Sequence, residues 1–325
     1  MLKYFLSRLL ILIPMMLLIS FIVFIGLELT PGDAVSAMFS ADTISNMSTE
    51  ELDALRDSLG LNDPMVVRYF RWVGNIVKGD FGVSYVTGTP ISEVLKSLLP
   101  ATLKLAGIAL LLSTILGLLL GILAAVKQNT ALDFSLSIFG VIGISMPEFF
   151  VGILMILIFA IKLKWFPAQG RTDIGLSAWQ SLKYVILPSC SLGFVLMAAL
   201  MRYTRNSMLD VLSKDYVKTA RAKGLPEWKI YTKHAFRNSL MPISVLLMLR
   251  MPMLIGGSVI IEQVFGYAGI GQRLITAING NDYPVVLIIV LMLSAISLLA
   301  SVMIDILTAV LDPRVRLGSA SRKES

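Results

Sequence analysis

The amino-acid sequence predicts an all-α integral membrane protein of six transmembrane helices with a small helical extracytoplasmic cap. Composition is the first sign. Hydrophobic residues are 56% of the chain and charged residues only 15%, against about 25% charged in a typical soluble protein. Clustering is the second. The apolar residues form six runs, at roughly 9–29, 102–126, 135–160, 184–206, 241–262 and 284–308, and about 20 such residues cross the hydrocarbon core. Without water in that core, backbone amides must bond within their own segment, so each run is read as a helix.

The first run follows Lys3 and Arg8, as a signal peptide would. Leu9 to Leu29 is longer than an h-region of about 7–15 residues, and no small-x-small site follows, so the run is expected to stay as a helix. Segment 30–101 is polar but patterned, and is expected outside the membrane. Ser48 and Glu51 have capping-box spacing, and Leu52, Leu55 and Leu59 then share a helical face. Asn62-Asp63-Pro64 reads as a turn. Val66, Phe70, Val73 and Val77 form a second stripe, closed by Gly79-Asp80-Phe81-Gly82. Two short helices capping the outer mouth fit this pattern, as does a structured but passive loop. Pro14, Pro147, Pro252 and Gly256-Gly257 interrupt the first, third and fifth runs; a cavity lining and a packing kink both fit such breaks. Gly117 and Gly121 are a small-xxx-small pair that permits close helix packing. No linker or fixed-period repeat divides residues 1–325, so the chain reads as one domain.

The net charge of +7 is unevenly spread. Segment 202–238 carries nine basic residues, from Arg202 and Arg205 to Lys233 and Arg237, against Asp210, Asp215 and Glu227. Arg314, Arg316, Arg322 and Lys323 follow in the tail. The positive-inside rule puts both regions and both termini in the cytosol. Lys162, Lys164, Arg171 and Lys183 dissent, since they would lie outside.

Several chemistries are unsupported. Cys190 is the single cysteine and has no internal partner for a disulfide. His234 is the single histidine, which argues against a histidine-built metal centre or a Ser/His pair. Gly143-Ile144-Ser145-Met146-Pro147 lacks the last glycine of a nucleophile elbow. Gly266, Gly269 and Gly271 follow no strand, and no Gly-x-x-x-x-Gly-Lys-Ser/Thr phosphate loop occurs. The chain is therefore expected to be no enzyme, and to need no metal, cofactor or nucleic acid. Ionisable residues inside spans are costly and face a bundle interior. Asp305 is expected to bridge to Arg202 or Arg205 at the inner rim. Glu148 and Arg250 either pair with each other or line a pathway; Arg250, nine residues past Met241, lies about 13 Å into the bilayer.

The segment 207–240 is more structured than a solvated basic loop requires. Tyr216, Thr219, Ala220 and Lys223 can share one face of a short helix, which Gly224-Leu225-Pro226 stops. Trp228, Ile230 and Tyr231 begin a second helix leading toward the membrane. Such an element, tied to two membrane helices, suits docking into a partner's groove, with Ala220 and Gly224 allowing close approach.

Thr219-Ala220-Arg221-Ala222-Lys223-Gly224, then His234-Ala235-Phe236-Arg237-Asn238 and Pro242, closely resemble the cytosolic loop of ABC-importer permeases, and within them the dipeptide, oligopeptide and nickel permeases. The resemblance covers nearly the whole chain. It includes Thr30-Pro31-Gly32-Asp33, Gly60-Leu61-Asn62-Asp63-Pro64, Leu99-Pro100-Ala101-Thr102, Ser145-Met146-Pro147, Glu262 with Phe265, Asp282-Tyr283-Pro284 and Asp312-Pro313-Arg314-Val315-Arg316. Lys218 and Thr219 stand where the general motif has Glu and Ala. The resemblance implies a type I ABC importer permease in a bacterial or archaeal plasma (inner) membrane. It implies a second homologous permease subunit, two ATPase subunits or domains, and an extracytoplasmic substrate-binding protein. Lys218, Thr219, Ala220, Arg221, Lys223, Gly224, His234, Arg237, Asn238 and Pro242 would then form the loop that couples to the ATPase. Peptides are the expected cargo, with nickel or glutathione-like solutes as the alternative. A secondary transporter would show paired repeats and a carboxylate relay, which the sequence lacks.

Overall fold

The computed structural model describes residues 2–29, 35, 38–39, 41–58, 60–170 and 177–311. Expectations resting on Thr30-Pro31-Gly32-Asp33, Leu59, Arg171, the tail from Asp312 onward, and the side chains of Lys3, Arg8 and Asp305 lie outside the described residues.

The elements run in the order α1 (Leu2–Glu28), α2 (Ala41–Asn46), α3 (Thr49–Ser58), α4 (Met65–Val77), α5 (Ile91–Val126), α6 (Ala131–Ser145) and α7 (Glu148–Met155), which widens into a π-helix at Ile156–Lys162. Then come α8 (Ala178–Leu212), α9 (Asp215–Ala222), α10 (Glu227–Lys229), a second π-helix at Ile230–Phe236, α11 (Arg237–Phe265), α12 (Ile270–Asn279) and α13 (Tyr283–Leu311). Among the described residues the one β feature is an isolated bridge between Val83 and Pro90.

Among the described residues five helices are long and apolar enough to cross a membrane: Leu10–Glu28, Ile91–Val126, Trp179–Leu212, Glu227–Phe265 and Tyr283–Met303. The sixth expected span, 135–160, is a broken pair, Ala131–Ser145 and Glu148–Lys162, bent by 110°. Of the interruptions expected from proline and glycine, this is the one that ends a helix; Pro14, Pro252 and Gly256-Gly257 lie inside continuous helices. The residue before a proline is pushed to extended geometry. Met146 takes it, at φ −85° and ψ 132°, and Pro147 follows at φ −63° and ψ 140°. Residues 91–101, expected as part of the cap, already belong to α5.

The chain divides into two compact units, Met1–Thr102 with Ala268–Ile296, and Leu103–Tyr267 with Ser297–Ser325. In the first, Asp282 is the knot. Its carboxylate is 1% exposed and accepts from Ser84 Oγ (2.5 Å), the Tyr85 amide (2.9 Å) and Arg273 Nη2 (3.1 Å). It thus fixes the 82–90 turn to α12 and to the start of α13. Ile91, Ile270, Leu274, Val285 and Ile289 form the apolar core around it. The expected capping box at Ser48 and Glu51 is present. The expected stripe on α4 is divided. Val66, Phe70 and Val77 are exposed, while Val73 packs with Tyr69, which is buried edge-on to Phe21 and Phe24 of α1.

In the second unit α8 is the axle, and glycines bring its neighbours against it. A Cβ at Gly117 of α5 would lie 2.9 Å from Leu200 Cβ, and one at Gly121 would lie 2.6 Å from the Met201 carbonyl oxygen. On α6, Gly140 meets Met201 and Arg202, and Gly143 meets Ala198. Gly193 of α8 itself faces the Ala109 carbonyl at 2.8 Å. The small-xxx-small pair Gly117/Gly121 therefore packs within the chain. Arg205 closes the arrangement by a two-point contact with Asp133, Nε to Oδ1 at 2.5 Å and Nη2 to Oδ2 at 2.8 Å. Asp133 also accepts from the Asn129 amide at 3.0 Å, so the turn between α5 and α6 is pinned to α8. Arg205, expected near Asp305, is thus engaged with Asp133.

Gly121→Ala should lower stability by about 1–3 kcal/mol, because backbone and Thr204 Cβ leave no room for a methyl group. Gly256→Ala, where nothing lies within 4 Å, should be neutral or stabilising by up to about 1 kcal/mol. Thermal unfolding of both variants in one detergent checks the contrast; equal shifts would contradict the packing described.

Candidate functional site

The candidate residues of 207–240 lie within the second unit, carried on the far end of α8. Ser213 caps α8, and α9 begins two residues later at Asp215. Val217 and Ala220, one turn apart, are 0% and 7% exposed and form the covered side of α9. Tyr216, Lys218, Thr219, Arg221 and Lys223 are exposed. The face expected to hold Tyr216, Thr219, Ala220 and Lys223 together is therefore split. Ala220 is small because its own chain covers it, and its neighbours Thr219 and Lys223 point to the open side.

Gly224 stops α9 with φ +76°, in the left-handed region, and a Cβ there would meet nothing within 4 Å. Backbone conformation, rather than crowding inside the chain, is what requires glycine here. Across the turn, Arg221 reaches Glu227 by two contacts, Nε to Oε1 at 2.9 Å and Nη2 to Oε2 at 3.2 Å. That hydrogen bonding pushes the Arg221 guanidinium further above its usual range. Lys218 pairs with Asp215 at 2.9 Å, an exposed pair of little energetic weight.

The returning strand of the hairpin is the π-helix Ile230–Phe236. Ile230 and Ala235 are fully buried, and Ala235 packs with Met208 and Ala125. The His234 carbonyl accepts from Asn238 Nδ2 at 2.6 Å, and the same amide nitrogen lies 3.5 Å from the Tyr216 hydroxyl. Asn238 thereby joins α9 to the start of α11. Arg237 is exposed, and Pro242 lies inside α11 without ending it. A large exposed aromatic was missing from the candidate set. Trp228 is 64% exposed, with Lys229 Nζ 5.5 Å from its ring centroid. A large aromatic in a charged hairpin was the available signal.

Glu148 and Arg250 are not a pair. Glu148 opens α7 after the bend, half-buried, and its carboxyl lies where a Cβ at Gly257 would go. Gly257 is seven residues beyond Arg250 on α11, about 10 Å along the axis. Arg250 Nη1 instead contacts Met253 Sδ at 3.3 Å. Equal depth from separate straight spans suggested the pairing; the 110° bend before Glu148 removes it. Among the described residues no group of His, Cys, Asp and Glu could hold a metal ion.

Comparison with known proteins matches residues 117–317 to the family described as the binding-protein-dependent transport system inner membrane component. Residues 1–106 match the amino-terminal region of the same class of membrane component. The oligopeptide transport system permease protein AppB of Bacillus subtilis is 35% identical over 96% of this chain and 98% of its own. The glutathione transport system permease protein GsiC of Escherichia coli K12 is 35% identical over 97% of this chain and 99% of its own.

If Glu148 and Arg250 are separate, the stability effects of Glu148→Gln and Arg250→Gln should add within about 0.5 kcal/mol. A double-mutant cycle by thermal unfolding measures this; a coupling well above that figure would restore the ion pair.

Proposed function

This chain belongs to the family of inner membrane components of binding-protein-dependent transport systems, and from that premise we propose that it is a permease subunit of an ATP-driven importer of peptides. It forms half of a transmembrane pathway with a second homologous permease. ATP is hydrolysed on two partner subunits or domains, and an extracytoplasmic binding protein delivers the cargo. The names of relatives support the cargo: AppB is an oligopeptide permease, while GsiC keeps a glutathione-like solute as the second reading. The cytosol receives both termini and the segment 207–240, a reading that the charge asymmetry supports.

One observation carries the coupling role. Residues 215–238 present an exposed polar and aromatic side on a buried base, Val217, Ala220, Ile230 and Ala235. The base fastens the hairpin to α8 and α11, so a force applied by an ATPase to Tyr216, Lys218, Thr219, Arg221, Lys223 or Trp228 moves membrane helices as rigid bodies. His234, Arg237, Asn238 and Pro242 form the joint between hairpin and α11. Glu148 and Arg250 act separately along the pathway. Arg250, without a carboxylate partner among the described residues, attracts a peptide's carboxylate and repels a bare metal cation.

Gly224→Asp should strain the turn by about 1–2 kcal/mol and place a carboxylate at the docking face. ATPase co-purification and peptide uptake should both fall while expression holds; normal docking would remove the coupling role. In the same uptake assay Arg250→Gln should change which peptide charges pass, and an unchanged profile would take Arg250 off the pathway. For orientation, cysteines placed at Ser48 and Ser213 in a Cys190→Ser background should label from outside only at Ser48. Labelling of Ser213 in intact cells would invert the topology.

A further inference from the structure

Two opposite charges border one uncovered face of α11. At 100° per residue, Leu249, Met253, Gly256 and Ile260 fall within about 60° of arc, and all four are exposed. Leu254, Ser258 and Ile261 point away from that arc and are buried. Arg250 and Gly257, two turns apart, lie at the edge of the exposed arc and within about 20° of each other. The carboxyl of Glu148, brought over by the bend before α7, sits where a Cβ at Gly257 would go. The same edge of α11 therefore carries a guanidinium at one level and a carboxylate about 10 Å further along the axis.

Neither charge is neutralised. Among the described residues Glu148 has no hydrogen-bond or ion-pair partner, and Arg250 has the Met253 sulfur, a weak acceptor. Both lie on membrane-length apolar elements, where an unpaired charge facing lipid is costly and one facing a water-filled cavity is not. The stretch between them is open and adaptable. Met253 is an unbranched thioether that adjusts to varied neighbours, and at Gly256 a Cβ would meet nothing within 4 Å. The complementary ligand has an ammonium at one end, a carboxylate at the other and a variable middle. A peptide with free termini has that form. Counted from Met253 or from Arg250, the distance to Gly257 is about 6 or 10 Å along the axis. An extended chain gains at most about 3.6 Å per residue, so two or three residues match it.

We propose that this face of α11 reads both ends of a di- or tripeptide, with the Glu148 carboxylate on its ammonium and the Arg250 guanidinium on its carboxylate. The site rests on the peptide-importer reading for its cargo, and adds to it a second specificity residue, a direction and a length. Gly257 is the seat of the carboxylate, since any side chain there would displace it.

Permeabilised native membranes holding the full chain and its partner subunits are irradiated with a tripeptide of alanine, p-benzoylphenylalanine and alanine. The benzophenone inserts into C–H bonds within reach, those beside a methionine sulfur among them, and label on Met253 is read by mass spectrometry of the digested chain. The free tripeptide should label Met253 about tenfold more than its N-acetyl form, its C-terminal amide or a hexapeptide carrying the same probe, the equivalent of about 1.4 kcal/mol. Glu148→Gln should abolish the penalty for acetylation alone, and Arg250→Gln the penalty for amidation alone. Equal labelling of the wild-type chain by free and blocked tripeptides, or by the hexapeptide, overturns the proposal even if the variants fail to fold. Absence of label at Met253 assigns the face to a second permease chain packed over it and also overturns the proposal. Peptide uptake by intact cells is measured beside this. Uptake without end-group preference at Met253 removes the site and leaves the importer reading, whereas the expected labelling without uptake removes the importer reading and leaves the site.

Discussion

Helix α8 lies close against α5 and α6 because those two helices carry glycines at points of contact with it. Lipid tails are as apolar as leucine, so burial gives membrane helices little reason to associate, and close van der Waals packing has to supply it. Gly117 and Gly121 provide that approach for α5, and Gly140 and Gly143 provide it for α6. Gly193 does the same from α8 toward α5. Arg205 and Asp133 then lock the one turn between those two neighbours. Because α8 runs directly into the hairpin of residues 215–238, the position of that hairpin is inherited from these contacts. The glycine seam and the candidate coupling element are two ends of one mechanical unit.

Hydropathy revealed the spans because lipid imposes a length and an apolar composition on each of them. It could not decide how they are interrupted. Pro14, Pro147 and Pro252 look alike in sequence, yet only at Met146-Pro147 does the preceding residue leave helical geometry. The stripe on α4 is divided for a related reason. In water an apolar stripe marks the inside of a protein, whereas at a membrane it is equally satisfied by lipid, so Val66, Phe70 and Val77 could face outward while Val73 packed with Tyr69. The Asp282 knot was beyond reach altogether. Ser84 and Arg273 meet that carboxylate from different elements, and no local pattern links them.

The hairpin was more legible, because its signals are local. Gly224 with Leu225-Pro226 stops a helix by backbone geometry alone, and the structure has the positive φ that such a stop uses. The orientation of α9 was not legible. Val217 and Ala220 are its covered residues, a choice made by what packs on α9 rather than by α9 itself. The separation of Glu148 from Arg250 has the same origin: a non-local bend resets the depth of a residue that a straight helix would have placed elsewhere.

The wide turn at Ile230–Phe236 has a consequence for how this sequence can change over time. A π-helix accommodates one residue more per hydrogen-bonded ring than an α-helix, and it is the form that a single-residue insertion takes inside a helix. Elsewhere in α11, gaining or losing one residue would rotate every later side chain by about 100° and carry Gly257 away from Glu148. Within 230–236 the extra residue is already held as slack between hairpin and span. Length variation in the hairpin can be absorbed there while the registry of α11 stays fixed.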